Sequence, residues 1–104
     1  MKISWLVRPE AEADLRNGYQ WYEKQKPGLG EDFLACIEAA LFAIQDNPYS
    51  YPEVHREVRR ALVHRFPYAV FYLPCAESIV VLAVFDCRRD PETWRGRMSG
   101  KVDK

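Results

Sequence analysis

Few side chains in this sequence could do chemistry. His64, Arg65, Arg88 and Arg89 are the candidates, with Tyr68, Tyr72 and Trp94 close by in sequence. Arginine and histidine beside aromatic rings suit a strained phosphodiester and a stacked base. In such a metal-free ribonuclease, His64 would serve as general acid or base. The arginines, Arg60 among them, equally suit bidentate contact with carboxylates, and so an acidic partner segment. A third reading is structural. Here His64 caps an edge of the core, and the arginines pair with acids of the first helix.

Other chemistries lack their residues. His55 and His64 are separated by nine positions, and neither neighbours a usable cysteine or carboxylate cluster, so no metal site is expected. Cys36, Cys75 and Cys87 form an odd set without a CxxC, which argues against a disulfide framework or structural zinc. Cys87 precedes Arg88 and Arg89, which would lower its pKa. Gly28 and Gly30 precede a helix but match neither phosphate-binding glycine pattern. No serine sits in a nucleophile elbow. Glu10, Glu12 and Asp14 read as helix-start charges rather than an acid–base pair. No cofactor is expected.

The elements that must position these residues follow from periodicity. Lys2–Val7 reads as a strand with Ile3, Trp5 and Val7 on one face. Pro9 opens a helix, whose buried stripe is Ala11, Leu15, Tyr19 and Tyr22. Lys26-Pro27-Gly28-Leu29-Gly30 breaks it. A second helix spans about Glu31 to Asn47, with Phe33, Ile37, Leu41 and Ile44 inward and Asp46-Asn47-Pro48 as its stop. Tyr49–Pro52 is a loop. Val58–Arg65 alternates as a strand, with Val58, Arg60, Leu62 and His64 on one face and Arg59, Ala61, Val63 and Arg65 on the other. Ala69–Leu73 is the next strand. Ser78–Phe85 is a nearly unbroken apolar run, so both of its faces need cover. The helices can cover one. A partner chain, a second copy or the C-terminal tail would cover the other. Asp90 and Pro91 suit a helical turn after the last strand.

The order is βααβββ, an α+β fold with a helical hairpin packed on a small antiparallel sheet. The length of 104 residues fits one domain. Residues 1–95 form it, and polar residues 96–104 form a fraying tail. No apolar run is long enough to cross a bilayer. The opening residues alternate rather than form a signal peptide, which points to the cytoplasm. The chain has 15 basic and 15 acidic residues. That balance disfavours bulk nucleic-acid binding. The charges are nonetheless segregated. Residues 1–54 carry 5 Lys/Arg and 9 Asp/Glu, net −4, whereas residues 55–104 carry 10 and 6, net +4.

Three stretches together resemble the ParE/RelE toxin superfamily. They are Val7-Arg8-Pro9-Glu10-Ala11-Glu12-Ala13-Asp14-Leu15, the block Arg60–Tyr72, and the ending Val80–Trp94, which carries Asp86-Cys87-Arg88-Arg89-Asp90-Pro91. The resemblance covers about residues 3–95. It implies a small toxin encoded beside an antitoxin whose C-terminal segment wraps it and whose N-terminal part binds operator DNA. Hetero-oligomeric complexes and recruitment as a co-repressor would follow.

The superfamily divides into ribosome-dependent messenger-RNA nucleases, resembling RelE, and gyrase inhibitors, resembling ParE. The strand arginine of the nucleases corresponds to Ala69 here. Their two strand lysines fall at about Ala61 and Val63. Their arginine after the last strand is matched by Arg88, and their C-terminal tyrosine is replaced by Trp94, which cannot transfer a proton. Loss of groups from a concerted acid–base set costs orders of magnitude in rate. The resemblance therefore implies a ParE-like inhibitor of DNA gyrase rather than an enzyme. Arg60, Arg65, Arg88, Arg89 and Trp94 are then expected to contact partners. The alternative is a nuclease using His64, Arg65 and Arg88.

Overall fold

A computed structural model describes residues 4–87 of the chain. Strand β1 (Ser4–Val7) is followed by helices α1 (Pro9–Gln25) and α2 (Leu29–Asp46), then strands β2 (Glu53–His55), β3 (Val58–Leu62), β4 (Tyr68–Pro74) and β5 (Ser78–Asp86). The α+β class and the helical hairpin on a sheet are as the sequence implies. Two details differ. There are five strands in the order β1-β5-β4-β3-β2, and β1 runs parallel to β5, so the sheet is mixed. The connection from β1 to its parallel partner β5 comprises the helical hairpin and strands β2, β3 and β4.

Local chemistry explains the elements. Pro9 stands at the start of α1, where its missing N–H has no helical partner to lose. Gly28, at φ 90°, turns the chain into α2. Glu23 holds that turn, its two carboxylate oxygens accepting from the Gly28 N–H at 3.0 Å and the Gly30 N–H at 2.9 Å. A negative group therefore sits at the start of α2, where the helix dipole favours it. The extra strand β2 reaches β3 through Arg56 and Glu57, both at positive φ (48° and 70°). Such a two-residue turn normally carries Asn or Gly.

The helices cover one face of the sheet. Phe33, Ile37 and Ile44 of α2 and Ala11 of α1 pack there with Val70, Tyr72, Ile79, Val81 and Val84. Phe33 is boxed by the rings of Tyr22, Phe66 and Tyr68, at centroid distances of 5.2, 5.5 and 4.9 Å. The opposite face holds a second cluster of Val58, Ala69, Phe71, Leu82, Ala83 and Phe85. The register slips between Phe71 and Tyr72, which pair with Ala83 and Val81. Leu82 is the additional residue. This bulge puts Val81 and Val84 on the helix side while Leu82, Ala83 and Phe85 serve the other. The apolar run thus feeds two cores. The residues of both clusters are buried.

Candidate partner interface

Arg60 lies on β3 opposite Phe71 of β4, on the sheet face away from the helices. Leu62 shares that face by alternation and is 65% exposed. The expected grouping of Val58, Arg60 and Leu62 on one face holds. The strand, however, ends at Leu62 rather than continuing to Arg65. Residues 63–67 form a bend, closed by the Val63 N–H donating to the Tyr68 carbonyl at 2.9 Å. The bend is needed because Val63 and Phe66 both enter the core, a spacing that strict alternation cannot serve. Arg65 adopts φ 76° within it.

His64 and Arg65 are exposed on this bend and therefore do not alternate across a strand. Arg65 reaches back to α2. Its Nη2 lies 3.8 Å from the Asp32 carboxylate, and its guanidinium lies 5.3 Å from the centre of the Phe66 ring. The expected pairing of arginines with helix acids is thus realised at Arg65, with an acid of the second helix rather than the first. Both partners are about half exposed, so the pair orients Arg65 more than it stabilises the fold.

Arg60 is close enough to the end of β5 to act on the Cys87 thiol. Cys87 is exposed as a residue, yet lost solvation around its thiol pushes its pKa up, with Arg60 pulling the other way. The expected activation of this cysteine is therefore reversed: desolvation outweighs the neighbouring positive charge. Cys87 is tied to the 63–67 bend by its N–H, which donates to the Pro67 carbonyl at 2.6 Å. Arg60 and the Pro67 end of the bend thus both adjoin Cys87, whereas Arg65 reaches to α2. Arg88, Arg89 and Trp94 lie outside the described residues.

Arg59 has a different task. Its Nη1 donates to the Tyr51 carbonyl at 2.6 Å and the Tyr49 carbonyl at 3.2 Å, and its guanidinium lies 5.3 Å from the centre of the Tyr49 ring. Tyr72 braces the same loop, its hydroxyl donating to the Pro48 carbonyl at 2.7 Å. Burial pushes the Tyr72 hydroxyl pKa up to about 12, against the pull of Arg59. Sequence reasoning also missed Asp14. Its Oδ2 accepts from the Val84 N–H at 3.0 Å. Paired residues of β1 and β5 end at Val7 and Val81, so farther along β5 this backbone donor needs a side-chain acceptor. The usable signal was position: Asp14 adjoins the buried stripe rather than the first helical turn.

The positions where a related nuclease would carry charge are apolar and buried. Ala61 is 2% exposed, Val63 6% and Ala69 0%. Among the described residues no group of three or more His, Cys, Asp or Glu could hold a metal ion, and no helix is long and apolar enough to cross a membrane.

A family model described as the ParE toxin of the type II toxin–antitoxin system, parDE, matches residues 6–91. Among solved structures, the chromosomal ParDE toxin–antitoxin system from P. aeruginosa is similar, with a TM-score of 0.71 at 19% identity. The match covers 81% of this chain and 95% of that one. No curated protein matches.

Proposed function

The chain belongs to the ParE toxin family of type II toxin–antitoxin systems, and from that premise we propose that it is a non-enzymatic poison of DNA gyrase, restrained by a cognate antitoxin. The observation that carries the choice over messenger-RNA cleavage is the burial of Ala61, Val63 and Ala69. The nucleases that the sequence resembles are expected to carry charged groups at about those positions, which here fall on opposite faces of the sheet, Ala61 and Val63 under the helices and Ala69 on the other side. Here they are core, and the core cannot take up a charge without heavy cost.

The antitoxin half of the reading rests on the arginines. Arg60, with Arg65, Arg88, Arg89 and Trp94, supplies planar donors and an aromatic surface for an acidic segment. The complex is a hetero-oligomer working in the cytoplasm, and operator DNA is met only through the antitoxin. No cofactor is involved.

Expression of the chain alone tests this reading. Viability should fall, broken chromosomal DNA should accumulate, and co-expression of an acidic antitoxin encoded next to it should restore growth. The His64→Ala variant should remain fully toxic. Intact DNA with cleaved messenger RNA, and loss of toxicity in His64→Ala, would instead establish the nuclease.

A further inference from the structure

We propose that the sheet face away from the helices is the seat of the chain's own C-terminal segment, anchored by Trp94 and Met98, whichever target the toxin has.

That face is shielded, and no described element shields it. Val58, Ala69, Phe71, Leu82, Ala83 and Phe85 are each at most 6% exposed. Both helices pack on the opposite face, and the five strands form one sheet. Tyr51, Val63 and Phe66 draw their loops toward the helix side as well. On an open antiparallel face, large side chains keep much of their surface in water. Leu6 and Leu62, at the margins of this same face, do so, at 56% and 65% exposed. The cover therefore crosses the middle of the sheet and leaves its margins open.

The buried positions give the path of that cover. They run from Phe85 and its partner Ala69 to Val58 on β3. This diagonal crosses two strand intervals and some four residues along the strands, roughly 17 Å. The C-terminal segment begins at one end of it, since Cys87 follows β5 and its N–H donates to the Pro67 carbonyl. A helix from Arg88 to Met98 would be about 16 Å long. Residues 1–3 cannot provide the cover. They precede Ser4, which pairs with Ser78, about 24 Å along β5 from Phe85, and three residues reach at most about 11 Å.

The seat also suits the side chains of this segment. Cross-strand pairs set a large residue beside a small one, Phe85 with Ala69 and Phe71 with Ala83. The two rings are 6.1 Å apart, and each takes part in a further interaction beyond this pair. The alanines leave room beside the rings for another aromatic side chain. Trp94 is the only aromatic residue after Phe85, and Met98 follows it at the four-residue spacing that shares a helix face. Arg88, Arg89, Arg95 and Arg97 between and around them would keep to the solvent side. Seating the segment would also hold Arg88 and Arg89 near Arg60, which already adjoins Cys87.

Nuclear Overhauser spectra of the full, isotope-labelled chain test the seat. Cross-peaks should join the Trp94 indole to the Leu82 methyls and to the Phe71 and Phe85 rings. Trp94→Ala should lower the folding equilibrium constant, read from urea unfolding, at least about tenfold, because truncating a buried tryptophan is costly. In a Leu82→Ala background the same change should cost a smaller factor, since touching residues couple. Should Trp94→Ala not fold, the spectra of the unaltered chain and the milder Met98→Ala decide. An indole without cross-peaks to this face, cross-peaks to α1 or α2 instead, or a loss below about twofold on Trp94→Ala overturns the proposal. So do cross-peaks that arise only between labelled and unlabelled copies, because a second copy would then fill the seat.

Discussion

Gly18→Ala sets two effects of known sign against each other. In an exposed helix the change would stabilise by about 1 kcal/mol, because glycine costs helix-forming entropy. Gly18 is not exposed. A Cβ at this position would lie 2.7 Å from Phe33 Cζ and 2.8 Å from Cε2. Phe33 cannot retreat, since three aromatic rings enclose it at 4.9 to 5.5 Å. Overpacking of a closed core costs about 1–3 kcal/mol, and contacts this short belong in the upper part of that range. The net expectation is a loss of about 1–2 kcal/mol. Urea unfolding followed by tyrosine and tryptophan fluorescence measures it. In a domain of this size each kcal/mol is also worth about 4–8 °C in melting temperature. A Phe33→Leu background should remove the clash and leave the propensity gain, so there Gly18→Ala should be neutral or stabilising. The two substitutions should couple by at least about 1 kcal/mol. Were Gly18→Ala stabilising in the native background, or were its effect the same in both, the close packing of α1 on Phe33 could not be what requires glycine here.

Other sites give equally definite expectations. Asp14→Ala strands the Val84 N–H and should cost about 1–3 kcal/mol, with Asp14→Asn milder because an acceptor remains; urea midpoints and hydrogen exchange at the Val84 amide check this. Tyr72 keeps its proton in the folded chain to about pH 12, against an ordinary 10.0, so the stability it adds below pH 10 should be lost as pH rises between these values. Tyr72→Phe should remove that part of the alkaline fall, as read from midpoints along a pH series. Arg60→Ala should weaken binding of an acidic antitoxin segment by about 2 kcal/mol, roughly thirtyfold, in titration calorimetry.

The parts of the fold legible in the sequence were those with strong periodicity or an unambiguous stop. Pro9 marks the start of α1, the Phe33–Ile37–Ile44 stripe marks α2, and the Ser78–Phe85 run announces a strand buried on both sides. The direction of β1 was not legible, because alternation at Trp5 and Val7 is the same whichever way a neighbour runs. Strand β2 was missed for a chemical reason: its turn uses Arg56 and Glu57 where the backbone would prefer Asn or Gly. The end of β3 was misplaced because Val63, His64 and Arg65 continue an apparent alternation that the bend interrupts. At the partner region, the face of Arg60 followed from period two, whereas the pairing of Arg65 with Asp32 joins residues far apart in sequence and has no local signature. Asp14 reads as a dipole charge until the limited reach of β1 along β5 shows which donor it must satisfy.

The central claim is gyrase poisoning, and a supercoiling assay tests it most directly. Purified, folded chain freed of antitoxin would be added to gyrase, relaxed plasmid and ATP. The account expects supercoiling to fail while cleaved, gyrase-bound DNA accumulates. Normal supercoiling by gyrase in the presence of excess folded toxin would contradict it.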